Sequence, residues 1–234
     1  HFPRSACRQA ADACRQAADA CRRTAGRKVR MRKTGILGGT FDPIHIGHLV
    51  LAESARDMAE LDEIRFLPSG HSYFKDHRGD PVSSPEDRLR MCELAVADNP
   101  YFTVSDMEIR RAGNSYTFET MEALRDAEPD TRFFFICGAD SLLQMRSWRC
   151  PERLFASCGI LAAARQGEFS MEALRREREA LRREFQADIT LLSMRGMQIS
   201  STELREDVRK GYSVRYRVPE PVIDYMKAHR LYHG

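Results

Sequence analysis

The chain has 234 residues, 42% of them hydrophobic and 30% charged, enough apolar material for one large core with or without appendages. No apolar run approaches the roughly 20 residues needed to cross a bilayer, and no signal-type apolar core stands near the start, so a membrane-spanning or secreted class is not expected. The net charge of +3 belongs to one end: residues 1–33 hold ten of the 37 Lys/Arg and two of the 34 Asp/Glu, leaving a body of 27 basic and 32 acidic residues without nucleic-acid-binding character.

In chain order, the first feature is a repeat of period seven, from Cys7-Arg8-Gln9-Ala10-Ala11-Asp12-Ala13 through Cys14 to Ala20 and on to Cys21-Arg22-Arg23. Ala and Cys at the apolar positions bury too little area for a coiled-coil seam. Residues 1–32 are therefore expected to be a basic tail, solvated or marginally helical. A targeting peptide is the other reading, opposed by Asp12, Asp19 and the scarcity of Ser. Met31 is a candidate natural start, with the repeat as an upstream extension.

Residues 33–234 alternate strand and helix. Apolar runs predict strands at Thr34–Gly38, Ile64–Leu67, Phe102–Ser105, Arg132–Gly138, Gly159–Ala164 and Ile189–Leu192. A helix starts soon after Asp42-Pro43 and carries Leu49, Leu51, Ala52, Ala55, Met58 and Ala59. A second follows Ser84, with Pro85 at its first position and Glu86-Asp87 in its first turn. Further helices are predicted at Thr117–Asp126, Ser170–Gln186, Ser201–Lys210 and Pro219–His229; the third-last of all these, rich in Arg and Glu, reads as a solvated helix with i,i+4 pairing. This order predicts an α/β fold, a Rossmann-like doubly wound parallel sheet with helices on both faces, whose ligands bind outside the carboxyl ends of the strands. The seven cysteines form no CxxC pair, which points to a reducing, cytoplasmic compartment rather than to disulfides or zinc. Cys137, at a strand end, reads as a small buried residue.

Three polar clusters fall just after strands. The first is Gly38-Gly39-Thr40-Phe41-Asp42-Pro43-Ile44-His45-Ile46-Gly47-His48. Its paired glycines are expected to let the backbone turn sharply and approach an anion, at a helix N-terminus that favours negative charge. His45 and His48, three apart, can converge on one phosphoryl group. Asp42 reads equally as an Asx-turn residue or a functional one. The second cluster is Gly138-Ala139-Asp140. The third, Ile199-Ser200-Ser201-Thr202-Glu203-Leu204-Arg205, puts hydroxyls at a helix start, either as ordinary caps or as a second phosphate clamp with Arg205 one turn on.

The first and third clusters together resemble the HxGH nucleotidyltransferases, and among them the bacterial nicotinate-nucleotide adenylyltransferases. The resemblance runs from about Thr34 to Tyr232. It is narrowed by Ser115-Tyr116-Thr117, by the spacing from Asp140 to Trp148, and by the closing Val218-Pro219 to Leu231-Tyr232. It implies transfer of AMP from ATP to nicotinate mononucleotide, with Mg2+ arriving on ATP and no metal ligated by the protein. His45 and His48 would be catalytic. Gly38, Gly39, Thr40, Phe41, Ser200, Ser201, Thr202 and Arg205 would hold ATP phosphates. Thr117, Asp140, Trp148, Arg149, Lys75 and Arg165 would bind substrate, the Trp148 ring stacking on the pyridine. Without the resemblance, Trp148 reads as core and Lys75 and Arg165 as partners of surface acids; the Gly70-His71-Ser72-Tyr73-Phe74 loop before Lys75 departs from the Pro-Pro-His-Lys form of many relatives. ATP and nicotinate mononucleotide are the expected partners, with no nucleic acid or membrane and with homo-oligomerisation left open. Two rivals remain: another nucleotidyltransferase, for instance one acting on phosphopantetheine, and a non-catalytic nucleotide-binding module that uses the tail as a docking arm.

Overall fold

Six apolar runs become strands because each is flanked by helices that cover it: β1 (Arg32–Gly39), β2 (Glu63–Pro68), β3 (Phe102–Val104), β4 (Thr131–Gly138), β5 (Gly159–Arg165) and β6 (Ile189–Met194). The structure is a computed structural model that describes residues 30–70, 83–111, 113–165, 170–194 and 197–233. The heptad repeat, Lys75 and the Arg165 side chain lie outside what is described. Residues from Arg32 onward form one compact unit. The strand therefore opens at Arg32, one residue before the expected domain start, where its guanidinium pairs with Glu63 at 2.8 Å.

All strand pairs are parallel, in the order β3-β2-β1-β4-β5-β6. Nine helices are seen among the described residues: α1 (Ile46–Ala59), α2 (Pro85–Val96), α3 (Met107–Arg110), α4 (Thr117–Ala127), α5 (Ala139–Gln144), α6 (Pro151–Ser157), α7 (Met171–Phe185), α8 (Ser201–Arg209) and α9 (Glu220–Ala228). The short helices α3, α5 and α6, and a 3-10 turn at Met145–Ser147, are too brief to show a periodic pattern in sequence.

The period-two alternation of the strands sorts their side chains into two cores. Phe134 and Ile136 join Leu37, Ile64 and Phe66 in one. Phe133, Phe135 and Cys137 join Ile36, Leu67 and Ile160 in the other. Helices α1, α2, α8 and α9 contribute to the first core and α4 to α7 to the second. Helix α7 buries Leu174 and Leu181 and leaves pairs such as Arg176–Glu172 (2.8 Å) outside, as a solvated helix should. The chain winds from β1 to one edge of the sheet, then returns beside β1 as β4 to build the other half. Connections diverge at that point, so a crevice opens at the carboxyl ends of β1 and β4. No helix among the described residues is long and apolar enough to cross a membrane.

Candidate active site

The glycines that end β1 do not make the turn themselves. Neither Gly38 nor Gly39 has a positive φ; the left-handed residue is Phe41, at φ 53° and buried. This corrects the expectation that the paired glycines supply the sharp turn. Gly39 is needed because the Phe41 ring lies over it: a Cβ there would sit 3.1 Å from Phe41 Cζ. The same ring meets His48 edge-on at 5.0 Å and leans on Phe66 at 5.9 Å. Gly38 is exposed and its nearest obstacle is 3.5 Å away, so its missing side chain leaves room for a ligand.

After Phe41 the Asp42-Pro43 peptide is cis and the chain enters α1 with His45 as the N-cap. The two imidazoles stack, with centroids 3.7 Å apart and planes 24° from parallel. The His45 backbone N–H donates to His48 Nδ1 at 3.2 Å. An Nδ1 that accepts a hydrogen bond carries no proton, so the His48 proton sits on Nε2, which becomes a donor.

Asp42 is fully buried, and its role is neither a free catalytic acid nor a lone Asx turn. The Tyr232 hydroxyl donates to its Oδ1 at 2.5 Å and the Ser83 N–H to its carboxylate at 3.3 and 3.4 Å. Arg205, itself buried, donates from Nη1 to the Asp42 carbonyl at 2.8 Å and stands 3.8 Å from Oδ2. Arg88 in α2, 2% exposed, donates to the carbonyls of Thr40 (2.9 Å), Gly70 (2.9 Å) and Ser83 (3.2 Å). Burial pushes Arg88 down from its usual range, opposed by the Asp42 charge. Burial, then the charge and hydrogen bond of Asp42, push the Tyr232 phenol up, so its proton stays in place as a donor. Two arginines thus surround one carboxylate beneath the glycine loop, an excess of positive charge suited to a polyanion.

The third cluster is docked onto the first. Ser200 is the N-cap of α8 and accepts from the Glu203 N–H at 3.2 Å. Ser201 Oγ donates to the Pro43 carbonyl at 3.0 Å, and Thr202 Oγ1 accepts from Arg205 Nη2 at 3.4 Å. The capping reading holds at Ser200, and the Ser201 hydroxyl holds α8 against the loop that carries the histidines.

Beside the loop lies a cavity of about 480 Å³. Gly38, Gly39 and Thr40 line it together with Thr117, Trp148 and Arg149. Trp148 is half-buried and meets Phe135 edge-on at 6.1 Å. Arg149 Nη1 donates to the Tyr116 hydroxyl at 3.0 Å with its guanidinium 4.6 Å over the ring, and Tyr116 stacks on Phe118 at 6.0 Å. Thr117 begins α4, whose N-cap Tyr116 makes no side-chain cap hydrogen bond and whose first turn also carries Glu119. Asp140, in the first turn of α5 after β4, is exposed and folds back over Gly138.

A family profile described as cytidylyltransferase-like matches residues 36–207. A protein of Lachnoclostridium phytofermentans named "probable nicotinate-nucleotide adenylyltransferase" is 44% identical over 205 residues, covering 86% of this chain and all of that protein. The chain belongs to the nicotinate-nucleotide adenylyltransferase family, a branch of the cytidylyltransferase-like proteins. A second member, from Symbiobacterium thermophilum, is 42% identical over 86% of this chain and 96% of its own. The fold is shared with the nicotinic acid mononucleotide adenylyltransferase of Plasmodium falciparum, solved in complexes with APC and with NaAD. At 19% and 18% identity the TM-scores are 0.69 and 0.70, over 86% of this chain and 97% of that one.

The sequence reading of the family missed three participants. Arg88 was visible only as part of a helix, and Tyr232 only as a closing landmark. Glu108 in α3 was not singled out, yet it lines the cavity, where its Oε1 accepts from Thr120 Oγ1 at 2.8 Å while Arg111 Nη1 donates to the same hydroxyl at 3.0 Å. Burial raises the Glu108 carboxyl above the usual range, against the opposing pull of Thr120 and Arg111. A carboxyl raised on folding stabilises below its unfolded value, about pH 4, and that contribution is lost as pH rises through the folded value. Glu108→Gln keeps an acceptor for Thr120 and removes the charge. Its melting temperature should exceed that of the parent chain at neutral pH, and the difference should vanish below about pH 4, where the parent is itself protonated; thermal melts across this range are the check.

Proposed function

We propose that this chain transfers AMP from ATP to nicotinate mononucleotide, giving nicotinate adenine dinucleotide and pyrophosphate, the adenylyl transfer of NAD biosynthesis. The observation that carries the reading is that one cavity is lined both by Gly38–Thr40 and by Thr117, at the start of α4, and Trp148. Family membership and the names of the relatives agree with it.

An oxygen of the acceptor's 5'-phosphate is already anionic, so it attacks the α-phosphorus of ATP without a general base. The new oxygen–phosphorus bond forms as the bond to the α,β-bridging oxygen breaks, and pyrophosphate leaves with the electron pair. In this in-line displacement there is no covalent enzyme intermediate, and the protein's share is positioning and charge stabilisation. His48 Nε2–H and the His45 ring stacked on it face the α-phosphoryl group as donors. The backbone at Gly39, Thr40 and Phe41, with Ser200, Ser201, Thr202 and Arg205, holds the remaining phosphates. The buried Arg88 and Arg205 supply positive charge that does not have to be reorganised during the reaction. Mg2+ arrives on the ATP phosphates as part of the substrate: Asp42, the carboxylate in the loop that carries the histidines, is already committed to Tyr232 and Ser83. Asp140, in the first turn of α5, is assigned to substrate binding; by family resemblance alone so are Lys75 and Arg165.

At the far end of the cavity the pyridine lies against Trp148 and its carboxylate meets the first-turn N–H groups of α4 at Thr117. A helix N-terminus offers only donors, so an amide would turn its own NH2 against them.

Pyrophosphate release measured with ATP and each acceptor in turn should favour nicotinate mononucleotide over nicotinamide mononucleotide by at least about tenfold in kcat/KM. Equal values, or preference for phosphopantetheine, would overturn the assignment. His48→Ala removes one transition-state donor and should lower kcat by about a hundredfold or more, in a chain that still folds but melts a few degrees lower for want of the acceptor of the His45 N–H. Near-normal turnover would take His48 out of the mechanism.

A further inference from the structure

The cavity wall between the glycine loop and α4 is polar in a way the adenylyl transfer described above does not use. Glu108, Ser69, Ser115 and Thr120 all line it. The Ser69 N–H donates to the Gly39 carbonyl at 2.9 Å, which fixes this serine beside the phosphate end. Ser115 precedes Tyr116 and Thr117 at the pyridine end. Glu108 spans the interval: its side chain is anchored on Thr120 of α4, and its backbone lies so close to Gly70 that a Cβ there would overlap the Glu108 carbonyl oxygen.

Three features of this wall ask for a ligand. The Oγ atoms of Ser69 and Ser115 are buried and have no hydrogen-bond partner among the described residues. The second carboxylate oxygen of Glu108, Oε2, accepts no hydrogen bond from a described residue, its partner Thr120 being held on Oε1. Burial works against the charge on this carboxyl, a cost that folding alone gives no reason to keep. Buried hydroxyls left without partners are destabilising unless a bound group completes them, and the second oxygen of the half-buried Glu108 carboxylate can accept from the same group.

We propose that Glu108, with Ser69 and Ser115, forms a sugar subsite that recognises the ribose hydroxyls of the acceptor mononucleotide, making Glu108 a specificity-determining residue. The assignment rests on the acceptor reading given above. Phosphate at Gly38–Thr40 and pyridine at Trp148 leave the sugar opposite this wall. A carboxylate accepting from sugar hydroxyls is the chemistry by which acidic side chains select ribose elsewhere. Serine hydroxyls donate to, or accept from, the same oxygens. Apolar contact alone would not distinguish ribose from deoxyribose.

The test compares parent, Glu108→Gln and Glu108→Ala chains on nicotinate mononucleotide and its 2'-deoxy and 3'-deoxy analogues, by pyrophosphate release and by quenching of Trp148, the single tryptophan. Melting temperatures show that the variants are folded. The parent should disfavour at least one deoxy analogue by about tenfold or more, the loss expected for one charge-assisted hydrogen bond. In Glu108→Ala that ratio should fall toward one, because the full sugar loses its partner while the deoxy sugar had none; Glu108→Gln, which keeps a hydrogen-bonding group but not the charge, should lie between Ala and the parent. An effect of Glu108 exerted only through Thr120 and α4 would weaken all three acceptors equally and leave the ratio intact, which would overturn the proposal. So would a parent chain that does not discriminate. Binding of ribose 5-phosphate against 2-deoxyribose 5-phosphate, followed by the same quenching, separates the two readings: a Glu108-dependent ribose preference without turnover of nicotinate mononucleotide upholds the sugar subsite and removes the acceptor. Equal binding of the two sugar phosphates in the parent removes the subsite.

Discussion

Asp42 is fully buried, and the groups around it come from segments far apart in the chain: Tyr232 near its end, Ser83 before α2 and Arg205 in α8. A carboxylate in such a place is tolerable only when hydrogen-bonded and offset by positive charge. Here that requirement ties the loop bearing the histidines to three other parts of the fold. Arg205 reads the Asp42 carbonyl as well as the carboxylate side, and Ser201 reaches the next carbonyl, Pro43. Loop and helix α8 are therefore one body. Phe41 is held at a positive φ under the rings of His48 and Phe66 because both its neighbours in sequence are pinned.

The parallel sheet supplies the remaining constraint. With both faces covered by helices, polar chemistry is confined to the strand ends, and the reversal of winding between β1 and β4 opens the crevice. The two ends of that crevice do different physical work in the proposed reaction. Beneath the glycine loop, fixed cations and a helix start favour phosphate; at α4, an uncapped helix start and an aromatic ring favour a flat, anionic ring. The wall joining them contains Glu108, a carboxyl whose ionisation is opposed by burial, which sets local stability against recognition.

Much of the fold was legible because buried parallel strands are continuous apolar runs: all six appear where the runs are, and the ends differ by at most two residues. The long helices announced themselves through Pro85, the Ser84 and Ser170 caps and amphipathic spacing. Helices α3, α5 and α6 gave no such signal. In the site, His45, His48 and the ISSTELR segment were legible because their chemistry is local. The hydrogen bond from Tyr232 to Asp42 joins residues 190 positions apart, and no pattern along the chain encodes it. Glu108 was hidden for a similar reason, since its importance lies in a cavity built by α3, α4 and the end of β2. The sharp turn expected of the glycine pair falls instead at Phe41, whose ring lies above Gly39 and leaves open space at Gly38.

If the loop and α8 act as one clamp on the transferring phosphoryl group, losses on the two sides cannot be independent. The direct measurement is a double-mutant cycle on kcat for pyrophosphate release, using His48→Ala, Arg205→Lys and the double variant, each checked for folding by thermal melt. Arg205→Lys keeps a positive charge near Asp42 and loses the planar fork that reaches both the Asp42 carbonyl and Thr202. Residues that work as a unit give a double variant far less impaired than the product of the two single losses. That is the result the account predicts. Losses that multiply would mean two separate sites of action and would contradict it.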